Sequence, residues 1–188
     1  MKNLTSWLYQ HATIRNIILA IMVIIPFNAL IFPLMSERFR ELTNGMQTLD
    51  VQPGYLHGDA IAQIGQYGEA GRIFYMLIEL TADLFYPLVY ATLFSLILAL
   101  VLKAGLTQSQ PYLQLALLPV LMMTADYLEN FSIVSMLAFY PALSIPAVAW
   151  FAAAVSFLKW LLGGFSLLAL LIGTGILVSK LIRSNQGG

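Results

Sequence analysis

The sequence predicts an all-α, polytopic membrane protein: a bundle of four transmembrane helices with one long polar loop between the first and the second. Three observations predict it. Of 188 residues, 60% are hydrophobic and only 10% charged, with a mean hydropathy of +0.82, against about 25% charged in a soluble domain. Apolar runs recur four times, at about 15–35, 73–102, 112–139 and 147–182, each long enough for a hydrocarbon core of roughly 30 Å. The one sizeable polar stretch, 36–71, separates the first two runs. Residues 1–188 read as a single membrane domain.

Composition also excludes chemistry. The formal net charge is zero and no basic tract is present, so nucleic acid is not an expected partner. Without cysteine there is no disulfide, thiolate metal site or cysteine nucleophile. The chain has no H-E-x-x-H, G-x-S-x-G, P-loop or Rossmann glycine pattern. Its two histidines, His11 and His57, lie outside the apolar runs, so neither a bis-histidine haem nor a typical zinc hydrolase is expected. The cofactor stays unknown, with no haem, nucleotide or thiolate-metal signature.

The first run, Ile17 to Met35, follows Lys2 and Arg15. It exceeds the roughly 7–15 residues of a secretory core and ends in Phe32-Pro33-Leu34-Met35-Ser36-Glu37 rather than in small residues. It reads as an uncleaved transmembrane helix. Pro26 and Pro33 each leave a carbonyl four residues back without its donor, and Asn28 between them is expected to turn inward, to a neighbouring helix or a ligand.

In the polar stretch, Ser36–Leu42 is expected to prolong the first helix, and Asn44-Gly45 and Pro53-Gly54 are turn signals. Asp59 is positioned to N-cap a short helix through Ile64. A connection of this length packs as a lid or serves assembly. Gly68-Glu69-Ala70-Gly71-Arg72 leads into the second run and sets Arg72 at the membrane lip, as an anchor or in reach of acids below.

The second run carries Glu79, Asp83, Tyr86 and Tyr90 at i, i+4, i+7 and i+11, one face of a helix. Pro87, four residues after Asp83, frees the Asp83 carbonyl. Lys103 to Gln110 is a polar turn making a hairpin with the third run, which holds Thr124-Ala125-Asp126-Tyr127-Leu128-Glu129-Asn130. There Asp126, Glu129 and Asn130 share a face. Each ionised carboxylate costs roughly 2.5–3.5 kcal/mol to insert, so these residues face a partner, a cavity or a ligand. After Tyr140–Pro146 the fourth run is too long for a simple crossing. It is either one protruding helix or an interfacial piece with a crossing that starts near Lys159. The continuous small-residue face Ala152, Ser156, Lys159, Gly163, Ser166 favours one helix.

Four crossings bring both termini to one side. Lys2, Arg15, Lys103, Lys180 and Arg183 gather there, against Arg38, Arg40 and Arg72 opposite, which predicts cytoplasmic termini in a cell membrane, the inner one in a bacterium. At 1.5 Å per residue from the loop side, Asp83, Asp126 and Lys159 come to roughly 16–20 Å deep, and Glu79, Glu129 and Asn28 to roughly 10–13 Å. Polar groups from four helices thus meet in one slab. Four carboxyls against one lysine cannot all be ionised in a dry site. Protons, a bound cation or water must balance them.

On Gly68-Glu69-Ala70-Gly71-Arg72, Asp83-x-x-Tyr86-Pro87-x-x-Tyr90 and Asp126-x-x-Glu129-Asn130 the chain resembles small four-helix bacterial integral membrane proteins to which no activity is assigned. That resemblance implies the architecture and no mechanism.

The expected function is a buried acidic pocket that binds a cation, a proton or a small amphiphile. Asp83 and Asp126 are its main ligands, Glu79, Glu129 and Asn130 support them, and Lys159 is the counter-charge. If a metal binds, Asp83, Asp126 and Glu129 are its candidates. Two alternatives stand beside it: an intramembrane hydrolase or isomerase working on lipid with paired carboxylates, and a structural or assembly protein. The expected partners are the bilayer, a cation or lipid-like ligand, and a second copy of the chain.

Overall fold

The computed structural model describes residues 2–105, 114–141 and 146–186. The expected turn at 103–110 and the connection at 140–146 lie largely outside them. Most of the described residues are helical, with no strand among them. Four helical stretches are long and apolar enough to cross a membrane: Ile14–Leu42, Gly68–Gly105, Gln114–Phe139 and Pro146–Lys180.

Ahead of these stands α1 (Lys2–His11), which the sequence reading did not foresee. Its Leu8, with Ala12 just beyond, is buried. Thr13 then N-caps α2 (Ile14–Pro26), its hydroxyl accepting the Asn16 N–H at 3.3 Å. A π-helical turn, Phe27–Ile31, joins α2 to α3 (Phe32–Leu42) between the two prolines. Both lack the N–H that an α-ladder needs there. α3 carries the helix through 36–42 as expected.

The chain turns at Asn44 (φ 54°) and Gly45 (φ 88°), as the dipeptide predicts. Thr43 is buried, and a Cβ on Gly71 would come within 2.6 Å of its methyl, so the loop begins pressed onto the next long helix. α4 spans His57–Gln66. Its cap is Leu56 with no side-chain bond, and Asp59 sits in the first turn instead, so the expected Asp59 cap is replaced by a carboxylate near the helix dipole. Gly68 (φ 69°) makes the corner into α5 (Gly68–Leu80).

The second long stretch is broken. α5 ends at Leu80, Thr81 adopts φ −122° ψ −84°, and α6 (Ala82–Gly105) starts afresh. A 3₁₀ turn (Gln114–Leu117) leads into α7 (Leu118–Phe139), where Pro119 occupies the first turn and costs no hydrogen bond. α8 is one helix, Pro146–Gln186, of 41 residues. The interfacial alternative is set aside. Its face works as expected: Ala152, Ser156, Lys159 and Ser166 are all buried.

Two apolar clusters hold the ends of the bundle. Phe39, Leu49, Ile64, Tyr67, Tyr75, Ile133, Met136 and Ala152 form one, at the loop end. Leu8, Leu96, Leu98, Leu102, Ala116 and Leu117 form the other. On α7 and α8, Asp126, Glu129 and Lys159 fall between these clusters. Near the far end, a Cβ on Gly173 would meet Val101 Cγ1 at 2.9 Å, and one on Gly105 the Gly173 carbonyl at 3.2 Å. Gly173 therefore serves contact between α6 and α8 within the bundle.

Candidate functional site

Lys159 is the centre of the polar layer. It is 5% exposed, and its Nζ has three close partners, two by ion pair and one by hydrogen bond. These are Glu129 Oε2 at 2.5 Å, Asp126 Oδ1 at 3.3 Å and the Asp50 carbonyl at 2.9 Å. Asp126 and Glu129 lie one turn apart on α7, so one ammonium reaches both. Tyr90 donates to Asp126 Oδ2 at 2.8 Å. The sequence face of Asp126, Glu129 and Asn130 is thus a true face, turned onto α6 and α8.

Glu79 and Asp83 flank the break at Thr81, one as the last buried residue of α5 and the other in the first turn of α6. Pro87 supplies no N–H to the Asp83 carbonyl, and the Asn130 side-chain amide donates to that carbonyl instead, at 3.4 Å. The backbone acceptor expected to be loose is therefore taken. Thr81 makes the break a tight turn: its hydroxyl bonds the Leu77 carbonyl, and its own carbonyl accepts the Leu84 N–H at 3.3 Å.

The residue that sequence reasoning missed is Asp50. It comes from the loop and folds back onto the helices. Tyr75, fully buried, donates to Asp50 Oδ1 at 2.6 Å and accepts from the Leu49 and Asp50 N–H groups at 3.0 and 3.2 Å. With the Lys159 bond to its carbonyl, Asp50 is fastened over the layer from two sides. One oxygen each from Asp50, Glu79 and Asp83 lies within 4.8 Å of the others. Glu79 is 3% exposed, and neither of its carboxyl oxygens has a hydrogen-bond partner; Asn130 Oδ1 is likewise buried and unpartnered.

Tyr55, a second loop residue the sequence did not single out, faces Glu129. Burial, and after it the negative charge of Glu129, pushes the Tyr55 hydroxyl far above its ordinary pKa, so it remains a neutral O–H. It also lines a cavity of about 590 Å³ with Gln52, Asp59, Trp150 and Phe157. His57 stacks on Trp150 with centroids 3.8 Å apart.

Three candidates stand aside from the acids. Tyr86 donates to Asn28 Oδ1 at 3.1 Å, and Asn28 donates back to the Ile24 carbonyl at 3.0 Å across the π turn. That pair joins the layer only through the edge contact of Tyr86 with Tyr90, centroids 5.5 Å apart. Arg72 does not approach the acids. Its guanidinium lies 4.7 Å over the Tyr140 ring, a cation–π contact at the bundle's end. Tyr75 had a signal that was not followed: it stands one helical turn before Glu79, extending the 79/83 face backward. Asp50 had none, because no periodicity encodes how a loop folds back.

Compared with known proteins, the chain matches no family model, no curated protein and no solved structure.

Proposed function

We propose that this chain is a multi-pass protein of the cell membrane, with both termini cytoplasmic, whose buried acidic layer binds a cation, either a metal ion or a proton. The observation that carries the reading is a charge imbalance. Asp50, Glu79, Asp83, Asp126 and Glu129 surround a single base, Lys159, and four of the five acids are less than a tenth exposed. One ammonium cannot offset five carboxylates at low dielectric, so added positive charge enters the layer. Helices broken beside carboxylates are the form in which membrane proteins commonly present ion ligands. The Thr81 break between Glu79 and Asp83 has that form.

Two measurements test it. The protein should resist extraction from membranes by alkaline carbonate and come out with detergent. In detergent, its unfolding midpoint should respond to pH, to metal cations, or to both. A midpoint indifferent to both would overturn the reading. The groups facing the layer that could titrate are Asp50, Tyr55, Tyr75, Glu79, Asp83, Tyr90, Asp126, Glu129 and Lys159.

One observation favours a second reading, an enzyme acting on lipid. Tyr55 lines the 590 Å³ cavity and lies in the field of Glu129, which would bring a phenol backed by a carboxylate to a bound amphiphile. On that reading Tyr55→Phe abolishes turnover of a lipid while leaving the cation response intact.

A further inference from the structure

The geometry points to a calcium site formed by Asp50, Glu79 and Asp83, separate from the Lys159 ion pairs and closed by the loop that carries Asp50. This rests on the cation reading of the acidic layer and assigns its ion and ligands. Lys159 is spent on Asp126, Glu129 and the Asp50 carbonyl. Among the described residues, none of the three remaining carboxylates makes an ion pair. Within that group Glu79 is 3% exposed with both oxygens unpartnered, a state that a buried carboxylate sustains only with a ligand or a proton.

The donor set selects the class of ion. Every group offered is an oxygen, with no imidazole or thiolate near, which suits hard cations. Dehydration selects within the class: Mg²⁺ sheds its water reluctantly and is usually held by one or two carboxylates, whereas Ca²⁺ accepts a larger set of protein oxygens. The three ligand oxygens lie within 4.8 Å of one another, close enough to share one ion. Asn130 Oδ1, buried and unpartnered beside the Asp83 carbonyl, is a fourth oxygen of the right kind.

The loop gives the site its way in. Asp50 is the only ligand from outside the long helices, and Tyr75 fastens it through three hydrogen bonds. Releasing the loop removes a ligand and opens the site in one motion.

The test is a titration of detergent-purified protein, first freed of metal with a chelator, with Ca²⁺ and separately with Mg²⁺, read as the unfolding midpoint and as ⁴⁵Ca²⁺ retained in equilibrium dialysis. Wild type should show a saturable rise with Ca²⁺, a smaller one with Mg²⁺, and close to one ion retained per chain. Glu79→Gln keeps the shape and removes a ligand charge. It should unfold later than wild type in chelator and lose both the Ca²⁺ rise and the retained ion. Asp83→Asn gives the same readout should Glu79→Gln not fold. An equal Ca²⁺ response in wild type and the folded variant would overturn the site. So would a midpoint that follows pH but ignores Ca²⁺, although the broader cation reading would then stand with a proton as the ion. Indifference to both would end the two together.

Discussion

At the scale of single residues, the layer's stability is concentrated in Lys159. Removing one partner of a buried ion pair leaves the other as an uncompensated charge, at about 3–5 kcal/mol. Lys159→Met should lower unfolding stability by that order, measured by denaturant titration in micelles, and a loss under about 1 kcal/mol would show that the pairs are not held as described. Asn130 permits a sharper test. Its amide serves the Asp83 carbonyl because Pro87 cannot. Asn130→Ala should cost about 1 kcal/mol, the worth of a buried bond of this length. Pro87→Ala restores a backbone donor, so Asn130→Ala should cost less in that background. A double-mutant cycle with no coupling would sink the compensation. The helix-borne part of the site was legible because ionisable residues in apolar runs have so few ways to be tolerated. Asp83, Asp126, Glu129 and Lys159 announce themselves by cost alone. Asp50 and Tyr55 do not, since in a polar stretch nothing distinguishes a carboxylate or a phenol that will be buried from one that will stay wet.

Among elements, the informative one is the segment between Thr43 and Leu56. It has no regular structure of its own, yet Leu49 is fully buried and the Tyr75 hydroxyl takes two successive backbone N–H groups. Tyr75→Phe removes that anchor and leaves the ring packing. Amide exchange at residues 43–56 should then accelerate at least tenfold, while exchange in α6 and α7 stays as in wild type. Uniform acceleration throughout the bundle would contradict a local role. The four long helices were readable because length and apolarity suffice to define them, and α8 was readable as one piece because its small-residue face never changes sides. The break at Thr81 was not. Thr81-Ala82 sits in an apolar run that carries no glycine there, and the turn is held by the Thr81 hydroxyl on the Leu77 carbonyl and the Leu84 N–H on the Thr81 carbonyl, which no apolar pattern signals. Nor was α1, a ten-residue helix too short and too polar to register as a membrane element.

For the molecule as a whole, the orientation proposed from charge bias is easy to measure. The chain has no cysteine, so a single introduced thiol reports its own side. Val51→Cys, at a site 54% exposed in the loop, should be labelled from outside intact cells by an impermeant maleimide, and Lys180→Cys only after lysis. The reverse pattern would invert the topology. Packing between α6 and α8 at the Gly105–Gly173 contact is similarly exposed to test. Gly105→Val forces a side chain against the Gly173 backbone and should cost about 1–3 kcal/mol, as overpacking does. An unchanged unfolding midpoint would mean the helices do not meet there. The position of Lys159 in the last helix has a consequence for how the protein is made. Glu79, Asp83, Asp126 and Glu129 all leave the ribosome before their only base, with roughly 33 residues between Asp126 and Lys159, or about 2–7 s of synthesis. During that interval α5, α6 and α7 carry these four acids without Lys159. On the membrane reading, a chain stopped short of Lys159 should be degraded faster than the full chain in a pulse-chase, and equal lifetimes would show that the last helix is not needed to settle those before it.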